Sequence, residues 1–588
     1  MRIGLGLTAV LFLACATSHT LSSKQSASPT PSTDVTTTQP QKSVKEPKPQ
    51  VSTEDMVGTF KLRVNLVQVH VVVRDSAGKP VGGLHKEDFQ LYENNKLQAI
   101  TTFAIEDAES RRRRTEEATK TPLDNGETEA QVAVTVPERF VALAFDDVHL
   151  LTGDLAPMRN AANGFIDSIG PTDRVGFFTT SGVVTQDFTG NKELLKQALL
   201  KVVSRAHTTA SVCPSVSYDM AVEVSKDPVA YQVLYQQTLA CAPGLTPAAA
   251  AALIGAALRA ATEQGEAESR NFYAGLASLL RLLSSKPGER VLLLASPGFP
   301  VDPTGGLASQ PSEVIDYANR SNIPINTIDA RGLYAPDLFG DISQSYAQPA
   351  QMVGQAARVA LNVQMEKQFV LGDFAYGTGG SFFHNSNDLE GGMKQLGIAP
   401  EISYMLGFSP QISKMDGHFH TLKVTLTGKQ KYAVQARRGY FAPKKLDDPL
   451  EAEKQEMQDA LLSRDEISDL AFTLQTQYFK TGDAGAQMSV VSHIGLKDLQ
   501  FRMADGKHFN ELKIATVIFD DNGNYLTSGG KIVKLRLLDS AFEKWCSSGL
   551  TVKSSFELKP GKYLIRQVVR DSEGGQMAAH NGIVVIPD

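Results

Sequence analysis

The sequence predicts an α/β doubly wound, mostly parallel sheet flanked by N-terminal and C-terminal β-sandwich-like modules. Three observations carry that expectation. Between residue 138 and about residue 400, short apolar runs alternate with longer helical patterns, as strands joined by crossover helices do. At 58–107 and again at 402–443, apolar and polar residues alternate with period two. Residues 465–588 return to that period, broken by turn sequences such as "DDNGN" and "RDSEGG".

Taken in order, the chain opens on "MRIGLGLTAVLFLACATSHTLSS", where one Arg precedes an apolar run followed by small residues. That is the layout of a secretory signal over 1–18, too short to span a bilayer. The chain is therefore read as exported, whether periplasmic, outer-membrane-anchored or extracellular. "FLAC" is similar to the end of a lipoprotein signal, in which Cys15 would be acylated and tether the protein to a membrane. Cleavage after Ala16 or Ser18 is the alternative, and both stay open. Residues 19–57 are rich in Ser, Thr, Pro, Lys and Gln and read as a disordered tether with a root-mean-square reach of roughly 35 Å.

A small β module follows at 58–107, with "LRVNLVQVHVVVRDSAGKP" as its clearest strand and turn. Residues 108–136 carry charge without periodicity and read as a linker. Its Arg111–Arg114 run is nearly cancelled by flanking acids, so a solvated loop fits it better than a binding patch. In the α/β region, strands are expected at 140–146, 173–180, 290–295 and 323–329. Helices are expected at 152–168, 191–204, 247–285, 311–321 and 350–377, and "SFFHNSNDLEGGMKQL" reads as a last strand–helix pair. An insertion spans about 205–245, and the β segment 402–443 extends the domain. A helical connector at 444–464 leads to a C-terminal β-sandwich-like domain, 465–588.

Four cysteines occur in the 588 residues: Cys15, Cys213, Cys241 and Cys546. Cys213 and Cys241 flank a helical segment of the insertion and are natural disulfide partners in an oxidising compartment. Closing that loop is worth about 3 kcal/mol on the chain-entropy model. Cys546 is left as a small hydrophobe.

With 42% hydrophobic and 21% charged residues the composition is that of a globular protein of several domains. A net charge of −6 over this length gives no broad attraction to nucleic acid. The sequence holds no Gly-x-Ser-x-Gly elbow, no His-Glu-x-x-His and no phosphate loop. The one close histidine pair, His418 and His420, alternates along a strand and reads as an exposed face rather than a metal site. A non-enzymatic role without a cofactor is therefore expected.

The middle region resembles a von Willebrand factor A (VWA) domain, on "FVALAFDD", "PTDRVGFFTTSG", "ERVLLLASPGFP", "IPINTIDARGL" and "LGDFAYGTGGSFFHNSNDL". With "VNLVQVHVVVRDSAGKPVGGLHKEDFQLYENN" before it and "RRGYFAP" after it, residues 58–443 resemble VWA-related proteins of the Acidobacterial type. The resemblance implies a ligand site at the carboxyl ends of the strands. In many relatives an Asp-x-Ser-x-Ser loop, a distant Thr and an Asp in a Thr-Asp-Gly step hold Mg²⁺ there.

This sequence departs from that pattern. Asp146, with Asp147 beside it, occupies the first position, but Val148 and Leu150 replace both hydroxyls. Ser296-Pro297-Gly298 replaces Thr-Asp-Gly, while Thr208 and Thr209 are candidates for the distant hydroxyl. Asp146 and Asp147 thus form a degenerate metal site. A nonstandard set with His149 and Asp154 is set against a structural reading, in which the aspartates accept backbone N–H bonds and Asp154 caps a helix starting near Leu155. Asp329 and Arg331 lie at another strand end, as ligand contacts or as an ion pair. The function expected is capture of an unknown protein or cell-envelope ligand through loops 146–156, 205–245, 296–310 and 330–348. The alternative is a structural or assembly component of the envelope.

Overall fold

The computed structural model describes residues 51–55, 67–76, 79–107, 137–206, 213–301, 306–333, 350–398, 402–408, 419–428, 432–441, 449–462, 467–480 and 485–587. Cys15, Arg111–Arg114, Thr208, Thr209 and His418 lie outside the described residues, as do the signal and most of the tether.

At the centre is a six-stranded sheet whose middle strand, Arg139–Phe145, is buried at every position. It pairs in parallel with Asp173–Thr179 on one side and Glu289–Ser296 on the other. Ile325–Asp329 and then Phe382–Phe383 continue the parallel run, and Thr185–Thr189 closes the other edge antiparallel. The central strand can be apolar throughout because both of its faces are covered. Val141, Leu143 and Phe145 face a core containing the helices Thr152–Ser168 and Leu389–Gly397. Phe140, Ala142 and Ala144 face the opposite core, built from the long helix Pro247–Ser284, the helix Gln310–Arg320 and the helix Ala350–Thr378. Single alternate residues thus serve two cores, as a strand's period of two requires.

The class of the whole chain differs from the expectation. Four of the five sheets among the described residues are antiparallel throughout, so a doubly wound, mostly parallel sheet does not define the class of this protein. The physical reason is that strands recruited from distant segments, or joined by tight turns, outnumber those joined by crossover helices.

Strand pairing also joins segments that the sequence reads apart. Val67–Arg74 pairs with Ile402–Phe408 and Ala433–Ala436, while Phe89–Glu93 pairs with Phe419–Leu426. Val69, Val71, Leu91, Tyr404, Leu406 and Leu422 fill the space between the two resulting four-stranded sheets. The 58–107 and 402–443 segments therefore build one sandwich, with the central sheet inserted in its chain. Val51–Asp55, read as part of the tether, instead forms an edge strand on Tyr525–Leu537 of the C-terminal region. There a seven-stranded and a three-stranded sheet share cores that include Leu512, Val533, Val552, Met488 and Ile565.

The C-terminal sandwich meets the central sheet at the amino ends of its strands. The hairpin tip 520–524 sits there, with Gly523 at φ 74° against the Phe140 ring, where a side chain would collide. Arg174 Nε donates to the Asp521 carbonyl at 3.2 Å, and the Gly288 N–H donates to the Leu462 carbonyl at 3.4 Å. The opposite, carboxyl ends of the strands remain for other work.

Candidate functional site

The carboxyl ends of the central strands gather three aspartates. Asp146, Asp147 and Asp329 are all essentially unexposed. Unpaired carboxylates cannot stay ionised in such a place, so each has partners. How they find them follows from the turn after Phe145. The Asp146 N–H donates to the Ala295 carbonyl at 2.9 Å, and the Leu150 N–H returns to the Asp146 carbonyl at 2.9 Å. Val148 and Leu150, standing where the VWA-like pattern would have hydroxyls, are buried, Leu150 in the core beneath the sheet. Apolar anchoring of this turn excludes ligating oxygens from those positions.

Neutral oxygens come from neighbouring strand ends instead. Ser296 Oγ donates to Asp146 Oδ2 at 2.7 Å and Thr180 Oγ1 to Asp146 Oδ1 at 3.1 Å. The Ser181 N–H and hydroxyl both donate to Asp147, at 3.0 and 2.6 Å. Gly298 follows Ser296 at φ 72°, and its lack of a side chain lets it pack against the Lys367 backbone. Its N–H donates to Ser296 Oγ at 3.0 Å, which aims that hydroxyl at Asp146.

Each aspartate also has a base. His149 Nδ1 lies 3.0 and 2.9 Å from the two Asp146 oxygens. Its ring stacks on Phe299 at 4.6 Å. Burial pushes the imidazolium pKa down, yet the Asp146 charge and hydrogen bond, with Glu268 and Asp219 beyond, outweigh it. The net direction is upward. Arg205 Nε lies 3.4 Å from Asp147 Oδ2, with its side chain 43% exposed. Asp329 takes Arg331 in a two-pronged pair, Nε to Oδ1 at 2.9 Å and an Nη to Oδ2 at 2.7 Å, and Gln368 adds a bond at 2.9 Å. Asp329 and Arg331 therefore form an ion pair, with Arg331 itself nearly buried.

Mg²⁺ needs about six oxygens in an octahedron. At Asp146 and Asp147 the oxygens already accept from Thr180, Ser181, Ser296, the His149 ring and Arg205, so an ion could enter only by expelling that ring. The residues present do not fit Mg²⁺. Among the described residues no group of three His, Cys, Asp or Glu is placed to hold a metal. Asp154 does not cap its helix: the helix begins at Thr152 after Leu151, and Asp154 lies in the first turn, its carboxyl pKa raised by burial. The aspartates, expected to accept backbone N–H groups, are held chiefly by side chains. His420, expected on an exposed face, is buried, its Nδ1 2.9 Å from Glu93 inside the N-terminal sandwich.

The insertion roofs this end. Cys213 and Cys241 are bonded across two helices, Tyr218–Lys226 and Pro228–Cys241, where the sequence suggested one segment. Four polar contacts tie them to the Ala350–Thr378 helix: Lys226–Glu366 at 2.8 Å, Arg358–Asp227 at 2.7 Å, Asn362–Glu223 at 3.0 Å, and Lys367–Asp219.

Beside the Asp147 network a cleft of about 810 Å³ opens between the 179–185 turn and the long helix. Thr180, Ser181 and Arg205 form one wall, Glu268 and Asn271 the other, over an apolar floor that includes Leu279. Thr180 and Ser181 were missed in the sequence, whereas Arg205 opens the 205–245 loop expected to take the ligand. "TTSG" directly after an apolar strand was the signal available for the first two.

No family model and no curated protein matches the sequence. Among solved structures, the chain is similar at 6% identity to the chicken interferon gamma receptor alpha chain, covering 31% of this chain and 73% of that one, with a TM-score of 0.12. It is similar at 8% identity to the three N-terminal domains of a type V pilus tip protein from Porphyromonas gingivalis, covering 83% and 77%, with a TM-score of 0.16. At those scores neither likeness amounts to a shared fold, and none of the comparisons supports the VWA resemblance.

The disulfide fits export to an oxidising compartment. No helix among the described residues is long and apolar enough to cross a membrane.

Proposed function

We propose that this is an exported, non-enzymatic binding protein that takes a protein or cell-envelope ligand at the carboxyl edge of its central sheet. In this reading the VWA-like region acts without a metal or other cofactor, and a lipid on Cys15 would hold the protein at a membrane. The observation that supports it best is the cleft beside Asp147. It joins an apolar floor to a few fixed polar groups, the composition that ligand sites favour. Arg205 is its most accessible charge, and a guanidinium already oriented by Asp147 can grip a ligand's acceptor groups with little loss of entropy.

A second reading, a structural component of the envelope, draws on the contact between the 520–524 hairpin and the base of the sheet, which suits a stiff spacer. One experiment separates the two. Immobilised protein is exposed to solubilised cell envelope, and retained material is compared between wild type, Arg205→Glu and Asn271→Arg. Loss of one discrete species in both variants supports the cleft as the site. Equal retention throughout favours the structural reading.

A further inference from the structure

We propose that Lys286 and Asn524 join in an intramolecular isopeptide bond, which ties the central sheet covalently to the C-terminal sandwich. Lys286 follows the long helix at the amino end of the Glu289–Ser296 strand, and only 3% of it is exposed. Its Nζ lies 2.5 Å from Asn524 Oδ1, across a sequence separation of 238 residues. The Lys286 nitrogen is thus held by a hydrogen bond at the amide whose carbon, Cγ, it would attack, and such confinement makes the step effectively unimolecular.

Both partners are held. The Asn524 N–H donates to Asp520 Oδ1 at 2.8 Å, and its side-chain Nδ2 donates to Asp520 Oδ2 at 3.0 Å. Gly523, packed on Phe140, seats the hairpin that carries it. Lys286 Nζ lies 4.9 Å from the centre of the Phe188 ring and 3.6 Å from Asp187 Oδ1. A buried ammonium in this place gives up its proton more readily than one in water. Burial lowers the Lys286 pKa, and the charges of Asp187 and Asp520 offset only part of that.

The chemistry balances without an oxidant or a cofactor. Uncharged Lys286 Nζ attacks Asn524 Cγ, the Nζ–Cγ bond forms, and the Cγ–Nδ2 bond breaks. The proton shed by Nζ passes to the departing nitrogen through Asp520, which already holds that nitrogen. One ammonia leaves and a secondary amide remains. The inference is independent of the ligand proposed above, since it concerns the other end of the sheet.

The test is tryptic digestion of the purified full chain under denaturing conditions, followed by mass spectrometry. Pro287 shields Lys286 from cleavage, so the relevant peptides are Leu282–Arg290 and Ile514–Lys531. The expected result is one joined species, lighter than their sum by one ammonia, absent from Lys286→Arg and from Asn524→Ala. Recovery of two separate peptides from the wild-type chain overturns the proposal. So does a joined species that persists in Asn524→Ala, which would place the link elsewhere. The wild-type digest decides alone, so a variant that fails to fold does not remove the answer.

Discussion

Among the described residues, two places set a buried carboxylate against a histidine ring, and they serve different ends. Glu93 lies between the sheets of the N-terminal sandwich, its Oε1 2.9 Å from His420 Nδ1 and 2.6 Å from the Tyr440 hydroxyl. Asp146 lies at the end of a central strand, its Oδ2 2.9 Å from His149 Nδ1. Both carboxylates are fully buried. The first pair is enclosed by packed β structure and fixes the match between two distant chain segments. The second adjoins Asp147, Arg205 and an open cleft. An acid–base contact therefore does not mark a site by itself. Its position relative to strand ends and solvent does.

The sharpest way to break this comparison is Glu93→Ala. Removing one partner of a buried polar group costs about 4 kcal/mol. Denaturant unfolding should show that loss in the sandwich, while ligand retention by the remaining folded protein is unchanged. Replacing Cys213 and Cys241 by serine should cost about 3 kcal/mol, from the freed loop. The loss should show as faster hydrogen exchange in the insertion helices and not in the sandwiches.

His149→Gln should cost about 2 kcal/mol, the worth of a hydrogen bond to a charged group. This loss depends on pH. The folded-state pKa of His149 lies above its unfolded value of about 6.5, so its contribution is complete below that value and fades as pH rises through the folded pKa. The gap between wild type and variant, followed by thermal midpoint, should be widest below about pH 6.5 and narrow as pH rises above it. An unchanged gap would mean that the ring acts by packing on Phe299 rather than by charge.

Arg205→Ala should cost no more than about 1 kcal/mol, because its pair with Asp147 is partly open to solvent. It should nevertheless remove most ligand retention. The smallest effect expected is on metal addition: Mg²⁺, Mn²⁺ or EDTA should leave the wild-type thermal midpoint in place. A clear shift that Asp146→Ala abolishes would show that the His149 ring yields to an ion.

Much of this was legible in the chain because local chemistry wrote it. "RFVALAF" reads as a strand covered on both faces from its short apolar run and its place in the α/β alternation, and the long helix was visible from its Ala-rich run and its length. The replacement of two hydroxyls by Val148 and Leu150 was equally plain, since apolar side chains cannot ligate a hard cation. The groups that complete the site were not legible. Thr180 and Ser181 are ordinary turn residues, and Ser296 only a strand end where the motif is replaced, until parallel pairing brings three strand ends level.

By itself the sequence determined most strands and helices of the central region and where the carboxylates fall, because periodicity and burial act over a few residues. It did not show the Val51–Asp55 strand or the two separate insertion helices. Only the tertiary structure decided the sheet membership. It set Val71 opposite Tyr404, placed Val51–Asp55 on the C-terminal sheet, and left antiparallel pairing dominant. It also decided that His149, Arg205 and Arg331 partner the three aspartates, and that Lys286 meets Asn524. Such choices depend on which surfaces close against each other across hundreds of residues, and no local pattern encodes that.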